Sequence, residues 1–231
     1  MRLYFSTYNQ TTMSRELLEK YVQAVLSAPQ SLQLTAAKEP REFWQRHVLD
    51  ALKLIELFPP SYHERAIRVL DVGSGNGIPG LPAAIAVPNW DVDLLDSNSK
   101  KCGFIDVFCK FNAIKNVHVL KGRAELFAHT DRRESYDLVF ARALGKLPVA
   151  LELASPFMKV GGILVVPHGT SWKNEMKHSK KAMKELCLVL KDSVSYSLDE
   201  SGQFTALLFE KISSTPGKYP RAVGIPTKRP L

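Results

Sequence analysis

Cysteine is scarce, with three residues, Cys102, Cys109 and Cys187, in a chain of 231. An odd count without metal-ligand spacing excludes a disulfide framework and a zinc site, and buried free thiols are the expected state. No apolar run approaches the roughly 20 residues that a bilayer crossing needs, and no basic, apolar, small-residue leader precedes the rest. A cytosolic, monomeric protein with neither membrane nor metal partner is therefore expected. Repeats and low-complexity tracts are also missing. With 45% hydrophobic and 23% charged residues, the composition excludes disordered and fibrous classes and fits one main domain with modest extensions.

Charge of one sign is lacking in two places only. Between Ser171 and Lys191 six lysines face two acids, and from Ser213 to Leu231 four basic residues face none. These stretches account for the whole net charge of +8, so the basic character is regional and points to a polyanion touching one part of the molecule.

Residues 1–64 read as a helical extension, with Ser14 capping a run to Ala28 and Pro40 opening a second run from Glu42 to Phe58. From residue 65 to 212, short β-branched runs alternate with helical periods. Strands are predicted near 66–71, 90–96, 117–121, 136–141 and 162–167, followed by a hairpin formed by 189–196 and 204–211 around Asp199-Glu200-Ser201-Gly202. Such alternation predicts an α/β fold of Rossmann-like, doubly wound type: a mostly parallel seven-stranded sheet with an antiparallel edge strand. The tail, residues 213–231, has no apolar period and is expected to be extended and poorly packed.

The chemistry begins at Val69-Leu70-Asp71-Val72-Gly73-Ser74-Gly75-Asn76-Gly77. A strand ending in an acid and followed by Gly73, Gly75 and Gly77 lets the backbone approach a ligand closely. Gly75 to Gly80 also fits the G-x-G-x-x-G dinucleotide pattern, with Asp96 about 20 residues on as a ribose-binding acid. Asp71 separates the two readings, because a carboxylate suits the ammonium of S-adenosylmethionine and repels a pyrophosphate. Asp96 serves either cofactor. Ala124-Glu125, after the third strand, can address an adenine edge. A class I S-adenosylmethionine-dependent methyltransferase is thus expected, with a nicotinamide-dependent oxidoreductase and a non-catalytic RNA-binding assembly factor as alternatives.

In order along the chain, several segments resemble the bacterial ribosomal RNA small subunit methyltransferase G family, also called RsmG or GidB. They are Leu32-Gln33-Leu34-Thr35, the stretch from Phe43 to Asp50, the stretch from Asp71 to Pro82, Leu95-Asp96-Ser97 with Lys100, Arg123-Ala124-Glu125, Ala141-Arg142-Ala143, and Tyr219-Pro220-Arg221 through to Leu231. The resemblance implies methylation of a guanine N7 in small-subunit (16S) ribosomal RNA, with Gly73, Ile78, Ala124, Glu125 and Arg142 lining the cofactor site and Asp96 at the ribose. After the fifth strand the family usually shows a lysine before glycine, whereas this chain has Pro167-His168-Gly169.

Guanine N7 carries a lone pair and no proton, so its methylation needs alignment rather than a general base. Phe140-Ala141-Arg142 fits this, since it lacks the Asn/Asp-Pro-Pro-aromatic turn usual for amino-nitrogen methylation. Arg142 is the leading positioning group, for the cofactor carboxylate, the guanine carbonyl or a phosphate. His47, three residues from Asp50 on a helix, is a weaker catalytic candidate whose ring can bond that carboxylate. Lys173, Lys177 and Lys184 recur at helical spacing as an RNA-facing stripe, to which Lys100, Arg123, Arg221, Lys228 and Arg229 add phosphate contacts.

Overall fold

The computed structural model describes residues 12–169, 171–198 and 202–231. Helix α1 (Thr12–Leu26) contains Ser14 instead of being capped by it, and it buries Leu18, Tyr21, Val22 and Val25 along one stripe. Pro40 does open a helix, α2 (Pro40–Phe43), since proline has no N–H to lose in a first turn. The run to Phe58 is not one regular helix, however. Trp44–Val48 widens into a π turn before α3 (Leu49–Ile55), and Pro59 separates this from α4 (Pro60–His63).

Strand β1 (Ile67–Val72) then starts an alternating series. It continues with α5 (Gly80–Ala86), β2 (Trp90–Asp96), α6 (Ser99–Phe111), β3 (Val117–Lys121), α7 (Ala124–Phe127), β4 (Tyr136–Phe140), α8 (Leu147–Ala154) and β5 (Met158–His168). Helices α9 (Trp172–His178) and α10 (Lys180–Glu185) lead to β6 (Leu188–Ser197), β7 (Gln203–Lys211) and α11 (Ile225–Lys228). The seven strands lie in the order β3-β2-β1-β4-β5-β7-β6. The first five are parallel, and β7 inserts antiparallel between β5 and β6. The expected hairpin is thus present; its turn residues 199–201 lie outside the described residues.

Alternation along the strands sends side chains to two cores. Val69, Val92, Leu138 and Val165 meet α1, α3, α5 and α6 on one face, while Leu70, Val72, Val139 and Leu164 meet α8 and α10 on the other. The amino-terminal helices therefore share the core of the sheet.

Two expectations fail here. The lysine stripe does not lie on one helix: buried Ser179 interrupts it, donating its hydroxyl to the Glu175 carbonyl at 2.8 Å, so Lys173 and Lys177 sit on α9 and Lys184 on α10. Nor is the tail poorly packed. Thr215 and Tyr219 are buried, and the Arg133 guanidinium donates to the carbonyls of Thr215, Pro216 and Tyr219. Polar bonds and single apolar anchors, Tyr219 and Leu231, hold this segment, so no hydrophobic period marks it.

Gly80 shows how tightly α5 meets the sheet, because a Cβ there would lie 2.3 Å from Leu94 Cδ2 and 2.9 Å from Asp71 Cβ. Gly80→Ala is expected to destabilise the fold by about 1–3 kcal/mol, seen as a lower denaturation midpoint with an unchanged slope.

Candidate active site

The carboxyl ends of β1 and β2 carry the glycine turn. Gly73, Gly75 and Gly77 all have positive φ, at 72°, 57° and 100°, a region open chiefly to glycine. The Gly73 and Ser74 amides donate to the Leu95 carbonyl, and the Gly75 amide donates to Asp96 Oδ2 at 2.8 Å, so the turn is bonded to the end of β2. Asn98, not Asp96, caps α6, accepting from the amides of Lys100 and Lys101. Asp96 is left half-buried beside the turn.

Asp71 is placed differently from the sequence reading. It is fully buried, with Oδ2 accepting the Gly80 amide at 2.8 Å, so it braces the turn from beneath instead of projecting from it. Gly77 and Ile78 are buried as well, and shape the turn from below. This geometry disfavours a dinucleotide, because the helix start that would meet a pyrophosphate is already bonded to a carboxylate. Burial raises the Asp71 carboxyl to about 7, against opposing contributions from the Gly80 amide and Arg142. Its Oδ1 and the Ser74 hydroxyl are buried without a hydrogen-bond partner among the described residues. A cationic ligand bearing hydrogen-bond donors fits a turn with these two acceptors.

Beside the turn, a cleft of about 290 Å³ opens at the ends of β4 and β5, lined by Asp50, Arg142, Leu144, Pro167, His168 and Phe204. Arg142 Nε lies 3.0 Å from Asp50 Oδ2, and its Nη2 reaches the Arg46 carbonyl at 3.2 Å and His47 Nδ1 at 3.1 Å. Tyr196 donates its hydroxyl to Asp50 Oδ1 at 2.6 Å. His47 and Asp50 thus each meet Arg142 rather than one another. Because a guanidinium only donates, His47 Nδ1 is the acceptor and the ring is neutral. Burial, then the charges of Arg142 and Arg46, lower its pKa to about 4.

Sequence reasoning missed Tyr196 and Phe204, whose rings stack with centroids 5.9 Å apart. It also missed Tyr21 and the role of Asn76. Tyr21 donates to the Asn76 carbonyl at 2.7 Å, and the Asn76 amide donates to the Leu34 carbonyl at 2.9 Å. These links join elements distant in the chain, and no local pattern announces them.

The remaining predicted residues divide into free and engaged. Ala124 is partly exposed after β3, and the Glu125 carboxylate is buried and accepts from Arg123 and from the Gly224 amide. Arg123 is held by that contact, and Arg221 chelates the fully buried Glu152 with bonds of 2.8 and 2.6 Å. Both guanidinium groups are thus paired with carboxylates, Arg123 while exposed and Arg221 half-buried. Lys100, Lys173, Lys177, Lys184, Lys228 and Arg229 are exposed, Lys173 lying over the Trp172 ring. His168 Nε2 sits 3.3 Å from Glu175 Oε1, which pairs the residue that departs from the family pattern. Among the described residues no group of three or more His, Cys, Asp or Glu is arranged to hold a metal, and no helix is long and apolar enough to cross a membrane.

The sheet order, the glycine turn braced by Asp71 and the acid at the end of β2 define the class of Rossmann-like, S-adenosylmethionine-dependent methyltransferases. A structure of such an enzyme from Aquifex aeolicus superposes with a TM-score of 0.55 at 13% identity, covering 84% of this chain and 98% of its own. TrmN from Thermus thermophilus does so with a TM-score of 0.56 at 16% identity, covering 86% and 53%. The chain belongs to the rRNA small subunit methyltransferase G (GidB) family, whose profile matches residues 14–201. Relatives named ribosomal RNA small subunit methyltransferase G include one from Oenococcus oeni, 36% identical over 93% of this chain and 88% of its own length. Another, from Thermotoga maritima, is 39% identical over 94% and 87%.

Asp71 and His47 give the fold opposed pH dependences. The Asp71 carboxyl titrates from 3.8 in the unfolded chain to about 7 in the fold, so its contribution is complete below 3.8 and is lost as pH rises through 7. That of His47, lowered from 6.5 to about 4, is complete above 6.5 and is lost as pH falls through 4. Asp71→Asn should therefore gain stability relative to the parent between pH 4 and pH 8, as read from urea midpoints of the cofactor-free protein.

Proposed function

We propose that this chain transfers the methyl group of S-adenosylmethionine to N7 of a guanine in 16S ribosomal RNA, acting as a cytosolic monomer on the RNA or the small subunit. The observation that carries this reading is the cleft beside the glycine turn, where the described residues offer a positioned guanidinium and no disengaged base. Asp50 is occupied by Arg142 and Tyr196, His47 Nδ1 by Arg142, and His168 by Glu175. A target atom that already has a lone pair, such as guanine N7, suits that lining, whereas an amine or hydroxyl needs a proton acceptor.

The glycine turn, Asp96 and the backbone at Ala124 would hold the cofactor, with Asp71, Gly77 and Ile78 supporting the turn. When bound, the cofactor supplies an activated methyl group on a sulfonium. The chain's own residues then orient the nucleobase and exclude water from the cleft. Arg142 is fixed by Asp50 and the Arg46 carbonyl, and it retains donors to position a guanine carbonyl, a phosphate or the cofactor carboxylate. The exposed basic residues on α6, α9, α10 and α11 meet phosphates.

Mass mapping of 16S RNA from cells lacking the protein should show one guanine without its N7 methyl, restored by the purified chain with S-adenosylmethionine. A fully methylated RNA would reject the proposal. Arg142→Ala is expected to lower methyl transfer by about 10²–10³-fold; because it also leaves the buried Asp50 with Tyr196 alone as partner, the urea midpoint of the variant is measured beside its turnover. Near-normal turnover would remove Arg142 from the site. Affinity for small-subunit RNA should fall by roughly 10³-fold between 50 and 200 mM salt if Lys100, Lys173, Lys177, Lys184, Lys228 and Arg229 each meet a phosphate. A flat salt response would exclude the basic surface.

A further inference from the structure

We infer that the carboxyl-terminal segment, residues 215–231, is a positioning element of the cofactor site and acts through Glu125. The inference rests on the proposed placement of the cofactor at Ala124. Helix α7, which starts there, has four residues and no side-chain cap, so it holds little position by itself. What fixes it is the grip on buried Glu125, whose Oε1 accepts from Arg123 Nη2 at 2.9 Å and from the Gly224 amide at 3.0 Å. The second donor belongs to the tail.

Gly224 is itself fixed. It adopts φ of 79° at the start of α11, which aims its amide. Three residues earlier, Arg221 binds Glu152 through its backbone amide at 2.9 Å and through both guanidinium bonds. The same guanidinium donates to the Arg229 carbonyl at 2.7 Å, closing residues 221–229 into one loop. The tail also grips the far end of the α7 connection, where Arg133 donates to the Tyr219 carbonyl at 2.9 Å and His129 Nε2 lies 3.2 Å from the Pro220 carbonyl. Since Glu152 belongs to α8, which follows the Arg142 loop, the segment ties the cofactor turn after β3 to the helix behind the substrate cleft. Tyr219, Arg221 and Gly224 are positioning residues, and none need touch the cofactor.

The test uses the full chain and calorimetric titration with S-adenosylmethionine, alongside methyl transfer to small-subunit RNA. Removing Arg221 alone would strand a buried carboxylate, so the ion pair is replaced whole as Arg221→Met/Glu152→Met. Gly224→Val is the second variant: a Cβ there meets nothing within 4 Å, yet a β-branched residue resists that φ and displaces the amide. Each is expected to raise the cofactor Kd about tenfold with kcat at saturating cofactor unchanged. Glu125→Ala should do the same, and adding Gly224→Val to it should change nothing further, a non-additivity that general loosening of the fold would not produce. Unchanged cofactor Kd in both tail variants, or effects additive with Glu125→Ala, would overturn the inference. Asp96→Ala separates the two levels. If it loses cofactor affinity while the tail variants keep theirs, only the role of the tail falls; if it binds normally, the cofactor-site reading falls with it.

Discussion

A carboxylate enclosed under the start of a helix organises the centre of this molecule. Asp71 is the penultimate residue of β1, and its bond to the Gly80 amide ties β1 to α5 across the glycine turn. The turn must then bulge outward through Gly73, Gly75 and Gly77, because the chain has to leave β1 and return within 9 residues to place Gly80 over Asp71. The same buried carboxyl occupies the helix start that a pyrophosphate would meet, and its Oδ1 has no hydrogen-bond partner among the described residues.

Around that centre, remote segments brace the site. The amino-terminal helices pin the turn through Tyr21 and Asn76 and deliver Asp50 to Arg142, while β6 contributes Tyr196 to the same carboxylate. The π turn at Trp44–Val48 lies where the Arg46 carbonyl accepts from Arg142, in line with the frequent use of such turns at functional sites. The carboxyl-terminal segment holds the opposite side. An enzyme of this type needs little acid–base chemistry and much alignment, and the structure places its buried polar bonds accordingly.

The sheet was legible in the sequence to within a few residues, because strands buried on both faces leave mostly apolar, β-branched runs such as 67–72 and 136–140, broken only by Arg68, Asp71 and Asp137. The glycine turn was equally plain, since positive φ at close spacing demands glycine. Less legible were the features that polar contacts create. Arg221 and Arg123 read as free cations, and the fold pairs them with Glu152 and Glu125. The lysine period looked continuous, and only the burial of Ser179 divides it.

By itself the sequence determined the layered architecture, the position of the glycine turn and the family, because each is written in local periodicity or in a short ordered motif. Tertiary structure alone decided which charges remain available. An ionisable side chain has the same local signature whether it meets water or a buried partner, and the partner here lies up to 146 residues away, as between Asp50 and Tyr196. It also decided that Asp71 braces the turn from within, since burial depends on what the rest of the chain packs over it.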